Sequence, residues 1–560
     1  MRPSFAVSGL VLALLAAPLF AVGETASVQV IPQPSSAVAG PGGTWTRGMG
    51  LLPSYSSNAI AAEISPWINA ALAATNTPKS GTPWTVRKTL STSAVGEEGY
   101  RLTTSAEGWT LDAATDVGLY YGVQTARQLL SAASGSVAPL EIEDVPAAAW
   151  RGVMYDHARN FLGAEFTKRL IDQMGALKLN RLHLHLTDDQ GWRIPLPSYP
   201  ALTTTGANSS TGGQSTWGAF TREEWLELDA YAQKRGVVLV PEIDLPGHTH
   251  AAKSSYSSVG CGSTSWPYTW PYAGVEVGFS YICNNDVGRA FIKTALEELA
   301  DMTSGPYIHI GGDECLSMSG SDYSALVRHA ESTVNGKGKI AVGWSEAAGG
   351  AQSSTTILQK WKNDGGAPGA NWINSTCSVA YIDHPEGEST DGQYQWSTWC
   401  TQGGAVPAAA VYAMSAGTAG VEAALWSEYN YTADAAEAKL FPRIVALAEN
   451  GWTPAAKRNW SRYASNLSAF GESFFRNVPA PADPDPGVGI ERAPVHTLAS
   501  ARPVEHVVFT VSGRRVASFA AEEGVGVADQ MRNGVFAPGS YLVGTRWSDG
   551  SVSRKRIVLR

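Results

Sequence analysis

The chain has 560 residues, 44% of them hydrophobic and 16% charged, so it is too long for one small core and too apolar for wholesale disorder. Its net charge of -9 leaves no global basic surface to neutralise phosphates, which argues against a nucleic-acid partner. The 19 Trp and 20 Tyr suit either a large core or stacking on the C–H faces of sugar rings.

At the N-terminus, Arg2 precedes an apolar run from Leu10 to Val22, with Ala21 and Gly23 at signal-peptidase spacing. Residues 1-23 therefore read as an export signal. Pro18 interrupts the run, and no later stretch looks long enough for the roughly 20 residues of a membrane span. Residues 24-148 mix short strands (Val28 to Ile31, Trp109 to Leu111) with an amphipathic segment from Leu119 to Leu130, which predicts a small α+β domain.

From residue 149 to 478 apolar strand-like runs alternate with helical ones, the pattern of βα units around a parallel sheet. The expected strands are Arg151 to Asp156, Arg181 to Leu186, Val237 to Asp244, Tyr307 to Glu314, Ile340 to Glu346, Thr355 to Trp361, Ser378 to Asp383 and Val421 to Glu428. Together they predict a (β/α)8 barrel. Phe166, Leu170, Ile171, Met174 and Leu177 recur at helical spacing, and a Thr221/Glu224 capping box with a Gly236 stop predicts a second helix from Thr221 to Arg235, with Trp225 and Leu228 inward. The Pro-rich stretch 479-489 reads as a semi-rigid linker. Residues 490-560 read as a small β-sandwich; from 502 onward they carry nine Lys or Arg against five Asp or Glu. Export permits disulfides, and Cys261 with Cys283 and Cys377 with Cys400 form plausible local pairs. Cys315 is left over, either a buried thiol or a nucleophile.

Barrel enzymes build their sites at the C-terminal strand ends. Here those ends present Asp156 and Arg159; His185, Asp188 and Asp189; Asp244 and His248; His309, Asp313 and Glu314; then Trp344, Trp361, Tyr381, Asp383, Trp426 and Glu428. So many polar groups from separate strands suit a polar ligand. Adjacent Asp313 and Glu314 repel, so one carboxyl should rise toward neutral pH while the other stays ionised; a pair of surface salt bridges is the plainer alternative. His183, His185, His248, His250 and His309 lack compact zinc spacing, so no metal is expected. No Gly-x-Ser-x-Gly elbow supports a Ser-His-Asp hydrolase.

The run His309-Ile-Gly-Gly-Asp-Glu314 resembles the His-x-Gly-Gly-Asp-Glu signature of family 20 glycoside hydrolases, the β-N-acetylhexosaminidases. Arg151-Gly-Val-Met-Tyr-Asp-His-Ala-Arg159, His185-Leu-Thr-Asp-Asp-Gln-Gly-Trp-Arg193 and Pro241-Glu-Ile-Asp-Leu-Pro-Gly-His248 resemble its barrel motifs in the same order. Glu98-Gly-Tyr-Arg-Leu102 and Gly118-Leu-Tyr-Tyr-Gly-Val-Gln-Thr125 are similar to its accessory domain. The resemblance spans roughly 28-475. It implies exo-hydrolysis of terminal β-linked GlcNAc or GalNAc from chitooligosaccharides or glycans, with retention, through attack by the substrate's own acetamido oxygen and without a cofactor.

On that resemblance Glu314 is general acid and base, Asp313 holds the acetamido group, and Tyr381 hydrogen-bonds its oxygen. Trp344, Trp361 and Trp426 enclose its methyl, while Arg159, Asp383 and Glu428 bind ring hydroxyls. His248 and Asp189 support Glu314 by hydrogen bonds, with Asp188 and His309 also in the supporting layer. Trp266, Tyr268, Trp270 and Tyr272, between Cys261 and Cys283, shape an aglycone subsite or pack their loop. Val511-Ser-Gly-Arg-Arg-Val516 and Gly539-Ser-Tyr-Leu resemble type IX sorting tails, implying export machinery as a partner. The rival readings are a non-catalytic glycan-binding protein and an envelope adhesion protein.

Overall fold

The computed structural model describes residues 28–261, 272–385, 400 and 405–481, together with strands at 503–510, 515–520, 539–547 and 552–559. The expected export signal, Trp266, Tyr268, Trp270, most of the linker and residues 511–514 of the tail motif lie outside the described residues.

The first part is a six-stranded mixed sheet in the order Ser36–Ala39, Leu140–Asp144, Tyr100–Thr104, Trp109–Ala113, Thr82–Arg87 and Leu51–Tyr55. Alternation along these strands buries Trp84, Val86, Tyr100, Leu102, Trp109 and Leu111 against the helices Asn58–Ala74 and Asp116–Leu130. Val28 to Ile31 is not the strand its composition suggested. It is buried irregular chain, held where the Ile31 amide donates to Gln128 Oε1 at 2.7 Å.

The second part is a closed barrel of eight parallel strands: Trp150–Asp156, Arg181–His185, Val238–Glu242, Tyr307–His309, Ile340–Trp344, Ile357–Lys360, Trp372–Asn374 and Gly420–Leu425. Closure comes from the last strand pairing with the first, Val421 opposite Arg151 and Leu425 opposite Tyr155. The capping box at Thr221 forms as expected and starts the helix Arg222–Gln233, whose Trp225 and Leu228 are buried.

The seventh strand is a correction to the sequence reading: it is Trp372–Asn374, not Ser378 to Asp383. Residues Cys377–Ala380 form a helical turn, and Tyr381 returns to the barrel through a single bridge to Ala424. Strand four likewise ends at His309, earlier than expected, because Gly311 and Gly312 leave the ladder with φ of 67° and 109°. A Cβ on Gly311 would stand 1.8 Å from Asp244 Oδ1, so only glycine fits there.

The sheet part docks beneath the barrel, at the N-terminal ends of its strands. Lys178 Nζ reaches Asp144 Oδ2 at 2.8 Å, Arg151 pairs with Glu98 at 2.6 Å, and Trp452 Nε1 donates to Asp144 Oδ1 at 2.8 Å. The opposite end is thereby left open to ligand. The tail is, among the described residues, one antiparallel sheet in the order Arg515–Ala520, Pro503–Thr510, Gly539–Trp547, Val552–Leu559. Both expected disulfides form, Cys261–Cys283 and Cys377–Cys400. No described helix is long and apolar enough to cross a membrane.

Candidate active site

Nine of the expected residues line one cavity of about 260 Å³ at the C-terminal strand ends: Arg159, Asp188, His248, Asp313, Glu314, Trp361, Tyr381, Trp426 and Glu428. The backbone brings the reactive groups in under strain. His248 and Glu314 both adopt left-handed conformations, with φ of 53° and 44°, a cost of roughly 1–3 kcal/mol each. The two residues face one another, His248 Nε2 lying 3.5 Å from Glu314 Oε2 and 3.8 Å from Asp313 Oδ2. Behind the imidazole, His248 Nδ1 is 3.1 Å from Asp188 Oδ1.

Asp188 is itself fully engaged. Its Oδ2 accepts from Arg159 at 2.8 Å and from His185 Nε2 at 2.9 Å. Burial would raise this carboxyl, but Arg159 and His248 outweigh burial and hold it far below the usual range. The same contest protonates His248, where Asp188, Asp313 and Asp244 overcome desolvation.

The acidic pair divides in the opposite sense to what a general acid at Glu314 requires. Burial lifts Asp313 to about 7, helped by Glu314 and opposed by His248. At Glu314 burial is outweighed by the hydrogen bond and charge of His248, so this carboxyl lies below its ordinary value. Asp244 is raised strongly by burial and by the charge of Asp313, one oxygen of each carboxyl lying within 4.8 Å of the other.

Aromatic rings close one side of the cavity. Trp361 and Tyr381 lie parallel, 6° apart in plane with centroids 6.3 Å apart, and Tyr381 meets Trp426 edge-on at 5.9 Å. The Cys377–Cys400 disulfide packs in the same cluster, and Trp361 Nε1 is fixed by Glu346 Oε2 at 2.9 Å. Arg159 lies over Trp426, 5.3 Å from the ring centroid. Glu428, lifted to about 7 by burial against the pull of Arg159, stands nearby.

Four expected site residues lie off the cavity surface. Trp344 is buried behind Trp426, 5.8 Å between centroids. Asp383 is buried and raised to about 7 by desolvation, close enough to raise Glu428 and Tyr381 in turn. His309 bonds Glu242 and not Glu314. Asp189 faces the loop, accepting from Ser280 Oγ at 2.6 Å and the His250 amide at 2.9 Å. An oxygen of each of the two carboxyls, Asp188 and Asp189, lies within 4.8 Å of a His248 ring nitrogen, but the hydrogen bond to His248 is made by Asp188, while Asp189 is occupied by Ser280 and the His250 amide, so the supporting role expected of Asp189 falls to Asp188. Cys315 is a half-buried free thiol raised to about 11 by burial, which disfavours the thiolate a nucleophile needs.

Sequence reasoning passed over several residues. Val275, Glu276, Val277 and Tyr429 also line the cavity; the first three lie on a loop anchored by the Cys261–Cys283 staple and by Gln190, which bonds both Arg159 Nε and the Gly274 carbonyl, and Tyr429 follows the eighth strand. For that loop the cysteine spacing was the available signal. Glu242, in the barrel interior, was not singled out either; His183 and His309 are grouped closely enough with it to hold an ion, but a ring nitrogen of each already lies 2.9 Å from its carboxylate.

The family model described as "Glycosyl hydrolase family 20, catalytic domain" matches residues 149–324 and 319–455, and that of "Glycosyl hydrolase family 20, domain 2" matches 27–145. A β-N-acetylhexosaminidase of Cellulomonas fimi is 36% identical over 70% of this chain and 81% of its own length. A β-hexosaminidase of Porphyromonas gingivalis is 32% identical over 66% of this chain and 53% of its own. Among solved structures, a Streptomyces plicatus N-acetyl-β-hexosaminidase in complex with Thio-NAglucal superposes with a TM-score of 0.71 at 32% identity, covering 82% of this chain and 97% of that one.

Proposed function

The chain belongs to glycoside hydrolase family 20, and from that premise we propose that it is an exo-acting β-N-acetylhexosaminidase, removing terminal β-linked GlcNAc or GalNAc from chitooligosaccharides or glycans with retention. The observation that carries this reading is the shared cavity: Asp313 and Glu314 open onto the same small space as the Trp361, Tyr381 and Trp426 rings. An acetamido group fits that combination, its methyl against the rings and its N–H toward Asp313.

In the proposed reaction Glu314 protonates the glycosidic oxygen while the acetamido carbonyl oxygen attacks the anomeric carbon. The aglycone leaves as an alcohol, and a cyclic oxazolinium remains. Glu314, now a carboxylate, takes a proton from water as that water opens the ring at the same carbon, and two inversions give net retention. Tyr381 donates to the attacking oxygen and Asp313 steadies the positive N–H, so the protein needs no nucleophile of its own. Holding the acetamide against Trp361 raises the effective concentration of the internal nucleophile. Arg159 and Glu428 are suited to ring hydroxyls, with Asp383 polarising them from behind.

Substrate binding reconciles the lowered Glu314 with acid catalysis. An acetamido N–H on Asp313 favours the carboxylate there, while the sugar expels water around Glu314 and leaves a fixed negative neighbour, both of which raise it. NMR of the first-formed product anomer, with a chromogenic β-GlcNAc glycoside, is the test. First-formed β-anomer and inhibition by a thiazoline mimic of the cyclic intermediate are expected; first-formed α-anomer or rapid hydrolysis of a plain β-glucoside would overturn the mechanism. The disulfides suit an exported chain, and the basic tail is suited to docking on export machinery or the cell surface.

A further inference from the structure

Below the cavity, the barrel interior holds a line of alternating carboxylates and imidazoles that the reaction above does not use. Glu422 Oε1 lies 2.8 Å from His183 Nδ1, and His183 Nε2 lies 2.9 Å from Glu242 Oε2. The same Oε2 is 2.5 Å from His185 Nδ1, whose Nε2 is 2.9 Å from Asp188 Oδ2. Asp188 then holds His248, and His248 faces Glu314. The other oxygen of Glu242 accepts from Trp344 Nε1 at 2.9 Å and lies 2.9 Å from His309 Nδ1, a nitrogen that also takes the Gly311 amide at 3.1 Å. Glu242 has no access to solvent or ligand.

This arrangement has a physical consequence for the acid/base end. Glu242 has four nitrogen partners within 2.9 Å, two on each oxygen. Its charge, with those of Glu422 and Asp188, overcomes desolvation and keeps His183 and His185 protonated, at about 9 and about 10. A doubly protonated His185 must donate from both nitrogens, so its ring is locked between Glu242 and Asp188. Asp188 Oδ2 is in turn occupied by His185 and Arg159, which leaves Oδ1 for His248.

We propose that Glu242 is a positioning residue for the reaction: acting through His185, Asp188 and His248, it fixes the carboxyl of Glu314 against the glycosidic oxygen. The role rests on the acid/base reading of Glu314. A glutamine has the same shape but accepts through one oxygen only, so Glu242→Gln presents an amide N–H either to His183 and His185 or to Trp344 and His309. His185→Gln cuts the line above Glu242 and spares its other partners.

The test compares wild type, Glu242→Gln and His185→Gln on two β-GlcNAc glycosides, 4-methoxyphenyl and 2,4-dinitrophenyl. The first leaving group needs a well-placed proton and the second does not. Both variants should lose activity on the methoxyphenyl glycoside by at least about tenfold more than on the dinitrophenyl one, within the roughly 10²- to 10⁴-fold worth of general acid catalysis. Equal losses on both substrates, no loss on either, or failure of both variants to fold would overturn the positioning role and leave Glu242 a purely structural group. A wild type inactive on both glycosides would overturn the parent reading along with this one.

Discussion

Asp313→Asn separates shape from charge at the acetamido site. Asparagine keeps an oxygen that can accept from a neutral acetamide N–H, so KM should stay within a few-fold. The cyclic intermediate carries positive charge on that nitrogen. A hydrogen bond to a charged group is worth about 1.5–3 kcal/mol, and two unit charges about 3 Å apart at an effective dielectric of 20 attract by at most about 5 kcal/mol. The expected fall in kcat is therefore roughly 10- to several thousand-fold, at about 1.4 kcal/mol per decade. A protonated thiazoline should lose affinity by a comparable factor, while neutral GlcNAc loses little, since only the charged species resembles the transition state. The empty protein offers an independent readout. Burial raises Asp313 from 3.8 to about 7, so its contribution to stability is full below about pH 4 and is lost as pH rises to about 7. Asparagine never ionises, so the variant's Tm relative to wild type should climb between pH 4 and pH 8. A kcat within about fivefold of wild type, or equal weakening of thiazoline and GlcNAc, would refute the charge argument.

The remaining expectations concern the acid, the pH response and the tail. Glu314→Gln should lower kcat on a chitobiose substrate by about 10²- to 10⁴-fold while sparing a dinitrophenyl glycoside's first step; chitobiose turnover within a few-fold of wild type removes Glu314 from the proton transfer. Burial lifts Asp383 and Glu428 to about 7, so their stabilisation is full below their unfolded values near 4 and is lost toward pH 7. That of His183 and His185 is full below about 6.5 and is lost through about 9 and about 10. The Tm of the empty protein should accordingly fall from pH 5 to pH 9, with Asp383→Asn flattening the lower half of that slope. Truncation after Asn477 removes no residue of the cavity and should leave specific activity on a chromogenic β-GlcNAc glycoside unchanged, while delivery to the cell surface or medium is lost; a fall in specific activity with normal delivery would give the tail the opposite role.

The sequence by itself determined the barrel and most of the residues at its mouth. Hydrophobic runs of strand length separated by helical periodicity can be read locally, because each strand buries its own side chains whatever its partners are. Strand ends then place Asp313, Glu314, Arg159 and the three tryptophans at one end of the barrel without any knowledge of distances. Both disulfides were legible for a similar reason: each closes a short loop. Where local pattern misled, long-range contacts had decided the outcome. Cys377–Ala380 is apolar enough for a strand, but Trp372–Asn374 pairs with Leu358–Lys360 and takes the seventh position. The choice between Asp188 and Asp189 could not be made from two adjacent identical residues, since it depends on which way one turn faces His248 and Ser280. Tertiary structure alone also set the protonation pattern. Two neighbouring carboxyls say that one must rise, but His248, 66 residues before Glu314 in the chain, sits nearer Glu314 and lowers it, while burial raises Asp313. Glu242 stands in the quoted run Pro241 to His248, but its role was illegible for the same reason. An acid inside an apolar strand carries no signal of its own until folding gathers His183, His185, His309 and Trp344 around it.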